Sequence, residues 1–191
     1  MFLGIFGELL GSGGIQRVNK HACATLSSIA NAKNKPYKFL SLNDPKGTHE
    51  INAENQTFKI QGFGKNKTIF VSNCLKNISK TNFAYIAHAN MSPIGIILKI
   101  FNPKLKYFVA IYGIDVWEKL SILKRIGMKN ANGITSVCDH TAKKAAMIQK
   151  IPNANFFIIP SSLPDEVVNT IQGIDSSVHV NSSKKILLTV G

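Results

Sequence analysis

The sequence is short of acidic side chains, arginine, cysteine and tryptophan. Asp and Glu number 10 against 23 Lys and Arg, which leaves a net charge of +13. Only Arg17 and Arg125 among those cations are arginines. Such an excess favours anionic partners such as phosphate, nucleic acid or lipid, and is silent about fold. The three cysteines, Cys23, Cys74 and Cys138, are odd in number and far apart. A disulfide frame or a zinc site is therefore not expected, and the thiols fit a reduced, cytoplasmic setting. Long apolar runs are missing as well. The strongest, residues 94–98, stops at Lys99, so no bilayer-spanning helix is expected. The opening MFLGIFGELLG carries Glu8 and no basic leader, which argues against a signal peptide. Asn-x-Ser/Thr triplets begin at Asn55, Asn66, Asn77, Asn90 and Asn181, and in a chain so rich in Asn they read as chance. No internal repeat or low-complexity tract is visible.

What is present is enough apolar material for a core, 45% of the chain, arranged in alternating patterns. Short apolar runs predict strands at residues 2–6, 37–42, 83–87, 106–111, 134–137, 156–159 and 184–191. Helical periodicity falls between them, at residues 15–32, 67–78, 92–100, 117–128, 139–149 and 165–171. The first helix shows an apolar face through Ile15, Val18, Ala22, Leu26 and Ile29, and Asp139 is placed to cap the helix it opens. Residues 46–63 are polar and read as a loop or hairpin. This alternation predicts an α/β fold, a Rossmann-like parallel sheet with helices on both faces. In such a sheet ligands bind beyond the carboxyl ends of the strands. The loops at residues 9–15, 87–93, 112–117, 137–140 and 160–165 are thus the candidate site.

The first of these loops is Gly11-Ser12-Gly13-Gly14. Backbone N–H groups at a helix start attract anions, and absent Cβ atoms permit close approach. A tight turn packed against the sheet is the plainer alternative. The dinucleotide fingerprint fails because Gln16 stands where its third glycine belongs and residues 31–37 hold no acid. Gly64-Lys65 lacks the rest of a P-loop, and neither H-E-x-x-H nor G-x-S-x-G occurs. No nucleic-acid motif is present either, and the few aromatics fall in strands, so nucleic acid is not expected as a partner.

Four segments in order, GSGGIQRVNKHACATL, HANMSPIGIILK, YGIDVWEKLSILKR and ITSVCDHTAKKAAMIQKIPNANFFIIPSSL, resemble the N-terminal domain of family-4 retaining glycosyltransferases. Those enzymes have the GT-B architecture of two Rossmann-like domains, and the closing KKILLTVG resembles the first strand of the second. The resemblance implies an acceptor-side domain at residues 1–172, a linker at 173–183 and the first strand of a donor-binding domain at 184–191. It implies transfer of a sugar, with retention, from a nucleotide-sugar to a glycan or lipid-linked saccharide. By resemblance Gly13 and Gly14 face the donor diphosphate, while Gln16, Arg17, His88, Tyr112 and Asp115 line the acceptor side. Tyr112 stands where the family has histidine, and Ser161-Ser162 where it has Asn-Gly. The resemblance assigns no catalytic residue within this chain. The nucleotide-sugar is a co-substrate, and neither cofactor nor metal is expected.

The family's nucleotide-gripping residues belong to the second domain, so 191 residues alone would be inactive. Two accounts are open: the N-terminal part of a longer enzyme, or an acceptor-binding module paired with a separate donor subunit. A general anion-binding Rossmann protein is a third. His88 could contact an acceptor or bond within its loop, and Asp115 could orient a hydroxyl or cap a helix. Residues 94–129, rich in Lys and apolar side chains, read either as a solvated surface or as a peripheral contact with the anionic inner face of the plasma membrane.

Overall fold

β1 (Phe2–Phe6), FLGIF, is apolar at every position, the pattern of a strand covered on both faces. A computed structural model of the chain, describing residues 1–76, 78–152 and 155–161, puts β1 near the middle of an eight-stranded sheet. The other strands are β2 (Tyr37–Ser41), β3 (Gly47–Ala53), β4 (Gln56–Gly62), β5 (Phe83–Ile86), β6 (Lys106–Ile111), β7 (Gly133–Ser136) and β8 (Phe156–Ile158). Their spatial order is β3-β4-β2-β1-β5-β6-β7-β8, and every pairing is parallel except β3–β4. The fold is therefore α/β and Rossmann-like, as the alternation predicts. Residues Met1–Ser161 form one compact unit. The expected helix at 165–171, the boundary at 172, the linker at 173–183 and the strand at 184–191 lie outside the described residues.

The connecting helices are α1 (Gly14–Ala32), α2 (Lys67–Leu75), α3 (Ser92–Phe101), α4 (Ile122–Lys129) and α5 (Asp139–Gln149). Parallel crossovers are right-handed, so the direction of each step decides the face its helix covers. From β1 to β2 the chain steps one way, and α1 packs Cys23, Ala24 and Leu26 on Phe6, Phe39 and Phe58. From β4 onward it steps the other way. Phe70, Leu98, Met128 and Ala145 of α2–α5 then share a core with Leu3, Ile5, Ile86, Val109 and Ile134. Helices thus cover both faces. Among the described residues no helix is long and apolar enough to cross a membrane.

Several local expectations are sharpened or corrected. Residues 46–63 form a true hairpin, β3–β4, closed by Glu54 and Asn55 with φ of 51° and 55°. Those left-handed angles give the turn whose twist matches paired strands. Gln56 ties the hairpin to α1, accepting from Ser27 Oγ at 3.0 Å and donating to Ser28 Oγ at 2.9 Å. The buried face of α1 runs through Asn19, Cys23, Leu26 and Ala30, while Ile15 and Ile29 are exposed. Polar Asn19 in that row hides it from a hydrophobicity reading. The helix expected at 117–128 begins only at Ile122. Gln149, fully buried on α5, captures the backbone that a longer helix would have used. It donates to Val116 O at 2.9 Å and Glu118 O at 2.7 Å, and accepts from Leu120 N at 3.1 Å. Asp139 does not cap α5. Cys138 occupies the cap position with its Sγ donating to Thr141 Oγ1 at 3.4 Å, and Asp139 pairs instead with Lys143 at 2.6 Å.

Candidate functional site

The chain steps leftward from β1 to β2 and later returns to lay β5 on β1's other side, so the strand order reverses between β1 and β5. At such a reversal the loops after the two strands diverge and leave a crevice at their carboxyl ends. A cleft of about 360 Å³ opens there. Gly7, Glu8, Gly14, Gln16 and Asn19 line it from the β1–α1 side. Ala87 and His88, after β5, form the opposite wall, and Asn43 closes it beyond β2.

The β1–α1 loop is held in place by a buried carboxylate. Asp44 accepts from Leu9 N at 2.8 Å and Leu10 N at 3.2 Å, and only 2% of it is exposed. Gln16 Nε2 donates to Glu8 Oε2 at 2.9 Å, and Lys20 Nζ donates to Gly11 O at 3.2 Å. At the mouth of the cleft α1 starts on Gly13, which offers no side-chain cap, and its first turn carries no acid. Unsatisfied first-turn N–H groups there can receive an oxygen-bearing ligand.

The glycines around the cleft differ from those elsewhere in the fold. A Cβ on Gly62 would fall 2.0 Å from Pro45 O, and one on Gly95 2.4 Å from the Tyr107 ring. Packing demands glycine at both. At Gly7 and Gly14 a Cβ would meet nothing within 4 Å, and neither residue has the left-handed φ that favours glycine. Gly13 has an ordinary extended backbone, φ −72°, and a Cβ would meet only the movable end of Gln16. Packing and backbone do not explain these glycines. Their missing side chains leave the start of α1 open to the cleft.

On the opposite wall His88 Nδ1 accepts from Asn90 N at 3.0 Å. In the neutral ring the proton therefore sits on Nε2, and His88 is a hydrogen-bond donor at that atom. Burial lowers its pKa. Asp115 opposes that shift, and Lys124 reinforces it. Lys124 itself donates to Asn90 Oδ1 at 2.7 Å, joining α4 to the His88 turn.

Tyr112 and Asp115 lie behind this wall. Tyr112 Oη donates to Asn19 Oδ1 at 2.8 Å, so its hydroxyl ties β6's end to α1. Tyr85, a neighbour on β5, lies beside both Tyr112 and Thr135. Burial holds both phenols above their ordinary pKa, hence neutral. Asp115 Oδ1 accepts from Tyr112 N at 3.1 Å and Gly113 N at 2.7 Å, bending the chain over the carboxylate. Its Oδ2 is buried with no hydrogen-bond partner among the described residues. Gly113 has φ of 157° and ψ of −108°, a conformation open to glycine.

Of the residues that the resemblance implies, Gly14, Gln16 and His88 line one cleft, and Gly13 caps the helix at its mouth. Tyr112 and Asp115 support the His88 wall, and the His88 and Tyr112 rings stand 6.3 Å apart. Arg17 is exposed on α1 and is not among the cleft residues. Sequence reasoning missed Glu8, Asn19, Asn43, Asp44 and Tyr85. Asn43 and Asp44 signal themselves only as turn residues after β2, and Glu8 only as an acid in an apolar start. Among the described residues no three His, Cys, Asp or Glu gather as a metal would require. No protein-family model matches the chain, and no curated protein matches it.

Proposed function

We propose that this chain is the acceptor-side domain of a retaining glycosyltransferase, acting with a donor-binding domain on a nucleotide-sugar and a glycan or lipid-linked saccharide. The observation that carries the reading is the Gly13-Gly14 helix start without a side-chain cap, whose Gly14 has open space around it and faces His88 across the crevice between β1 and β5. The cleft contains Glu8 and no Lys or Arg. That favours hydroxyl-rich saccharide over a free polyanion, so the diphosphate's counter-charges come from the donor-binding domain. Amide N–H groups of α1 would stabilise the leaving diphosphate as its charge develops. Gln16, Asn43 and the Nε2–H of His88 would bind acceptor hydroxyls. Asp115, next to His88, is a positioning residue for that wall.

The test is transfer of labelled sugar from a nucleotide-sugar panel to saccharide acceptors by the polypeptide joined to its donor-binding domain. Label in the acceptor, lost on Gly14→Val, supports the proposal. Tight binding of inorganic phosphate by this chain, with no saccharide effect in calorimetry, would favour an anion-binding module instead.

A further inference from the structure

The parallel strands end at the cleft and begin at the opposite edge of the sheet, and there each connection from a helix brings a lysine. Lys33 and Lys35 precede β2, Lys80 precedes β5, Lys104 precedes β6, and Lys150 precedes β8. Lys129 closes α4 ahead of β7. All six are exposed. In the order β2-β1-β5-β6-β7-β8 they spread along about 24 Å of sheet edge, at about 4.8 Å per strand. Residues 33–36, 76–82, 102–106, 129–132 and 150–155 contain no Asp or Glu. Glu8, Asp44, Asp115, Glu118 and Asp139 instead follow strands, at the cleft's end of the sheet. Among the described residues none of the six lysines pairs with a carboxylate. A cation in the last turn or at the cap offsets the helix dipole, which accounts for Lys33, Lys129 and Lys150. Lys35, Lys80 and Lys104 stand beyond that reach, so helix stability does not call for them.

An apolar pair sits among these lysines. Ile100 is 69% exposed and Phe101 62%, at the carboxyl end of α3. Asn102 fixes that end, donating from Nδ2 to Ile78 O at 2.9 Å and Thr81 O at 2.8 Å, on either side of Lys80. Lys99 Nζ donates to Asn130 O at 3.1 Å, which brings the turn after Lys129 alongside. Ile100 and Phe101 thus lie among the turns that carry Lys80, Lys104 and Lys129. An apolar centre with a charged rim is the anatomy of a protein interface. The charge complement of this one is an acidic polypeptide, steered by the rim and anchored on the pair. A second copy presents the same cations and is repelled. A nucleic acid asks for arginine forks or a run of stacking rings, and these connections hold neither arginine nor an aromatic residue.

We infer that the amino-terminal edge of the sheet docks an acidic polypeptide, whose carboxylates meet the lysines and whose apolar side chains cover Ile100 and Phe101. The inference stands apart from the sugar-transfer proposal, because the cleft opens at the other end of the strands.

The test is fluorescence anisotropy of the full chain with a labelled peptide of about 20 residues, about 30 Å long as a helix, rich in glutamate and carrying a row of leucines. Three other probes run beside it: the peptide with glutamine for each leucine, a single-stranded oligonucleotide, and vesicles containing phosphatidylglycerol. At about 100 mM salt the leucine peptide should bind, and about 1 M salt should release most of it. Lys80→Gln, Lys104→Gln and Lys106→Gln together should weaken it about tenfold. Phe101→Ser should weaken it at least about fivefold and erase the preference for the leucine peptide. Lys65→Gln with Lys67→Gln, at the cleft's end of the sheet, is about a strand's length away and beyond the screening distance, and should change binding less than about twofold. All these side chains are exposed, so melting curves should match the parent. The inference is overturned by any of four results: no binding of the leucine peptide, an equal loss from the Lys65 and Lys67 pair, binding unmoved by Phe101→Ser, or tighter binding of the oligonucleotide or the vesicles.

Discussion

Gly14 and His88 face each other across the cleft and invite different tests. A Cβ at position 14 meets nothing within 4 Å, and valine is no worse in a helix than the glycine it replaces. Gly14→Val should therefore leave folding stability within about 1 kcal/mol of the parent. It should also reduce saccharide or nucleotide-sugar affinity more than about tenfold, equivalent to about 1.4 kcal/mol. Calorimetry beside a melting curve separates the two effects, and a parent-like affinity would refute the role given to this loop. His88 makes a pH prediction. Burial lowers its pKa in the fold, so the unfolded chain binds the proton more readily. The stability it contributes is complete above its unfolded pKa of about 6.5 and is lost as pH falls through the lower folded value. The melting temperature should drop between about pH 7.5 and pH 5, and His88→Gln should shrink that drop. An equal drop in parent and variant would show that other groups govern it.

At the scale of elements, the β1–α1 loop owes its shape to a residue on the next loop. Asp44 is a buried carboxylate whose two oxygens take the N–H groups of Leu9 and Leu10. Hydrogen bonds to a charged group contribute about 1.5–3 kcal/mol each, and Leu9 N lies buried without its partner once the carboxylate is gone. Asp44→Ala should cost about 3 kcal/mol, or roughly 6–12 °C in Tm, and should weaken cleft ligands as well. Unchanged melting would show that the loop holds itself. This dependence on a distant residue marks the limit of what the sequence shows. The strands β1, β2, β5, β6 and β7 and the crevice loops were legible because buried strands and glycine-rich turns leave local patterns. The β3–β4 hairpin is only half legible, because Glu54-Asn55 is a weak form of its turn signal. The start of α4 was missed because Gln149, some 29 residues from Leu120, decides it. Within the site, the glycines and His88 could be found from loop position. Asn19 could not, because its partner Tyr112 lies 93 residues away.

On the scale of the molecule, two cores on opposite faces of a single sheet raise the question of whether they unfold together. The three thiols are placed to answer it. Cys23 belongs to the core under α1 and Cys74 to the core under α2–α5, while Cys138 is exposed at the start of α5. Burial raises the Cys23 pKa well above its ordinary value and pushes Cys74 to about 12, so neither is a thiolate at neutral pH in the native fold. Hydrogen bonding with Thr141 lowers the Cys138 pKa, favouring its thiolate. With a thiol-specific disulfide reagent, Cys138 should react at once, and Cys23 and Cys74 only as the structure opens. The strands are shared, since Leu3 and Ile5 of β1 face one core while Phe6 faces the other. Losing either core therefore removes the support of the second, and Cys23 and Cys74 should be labelled at one common rate. Peptide mass spectrometry during labelling resolves each site. Two distinct rates, with Cys23 faster, would mean that α1 lifts from the sheet by itself and that the cleft wall it carries opens without global unfolding.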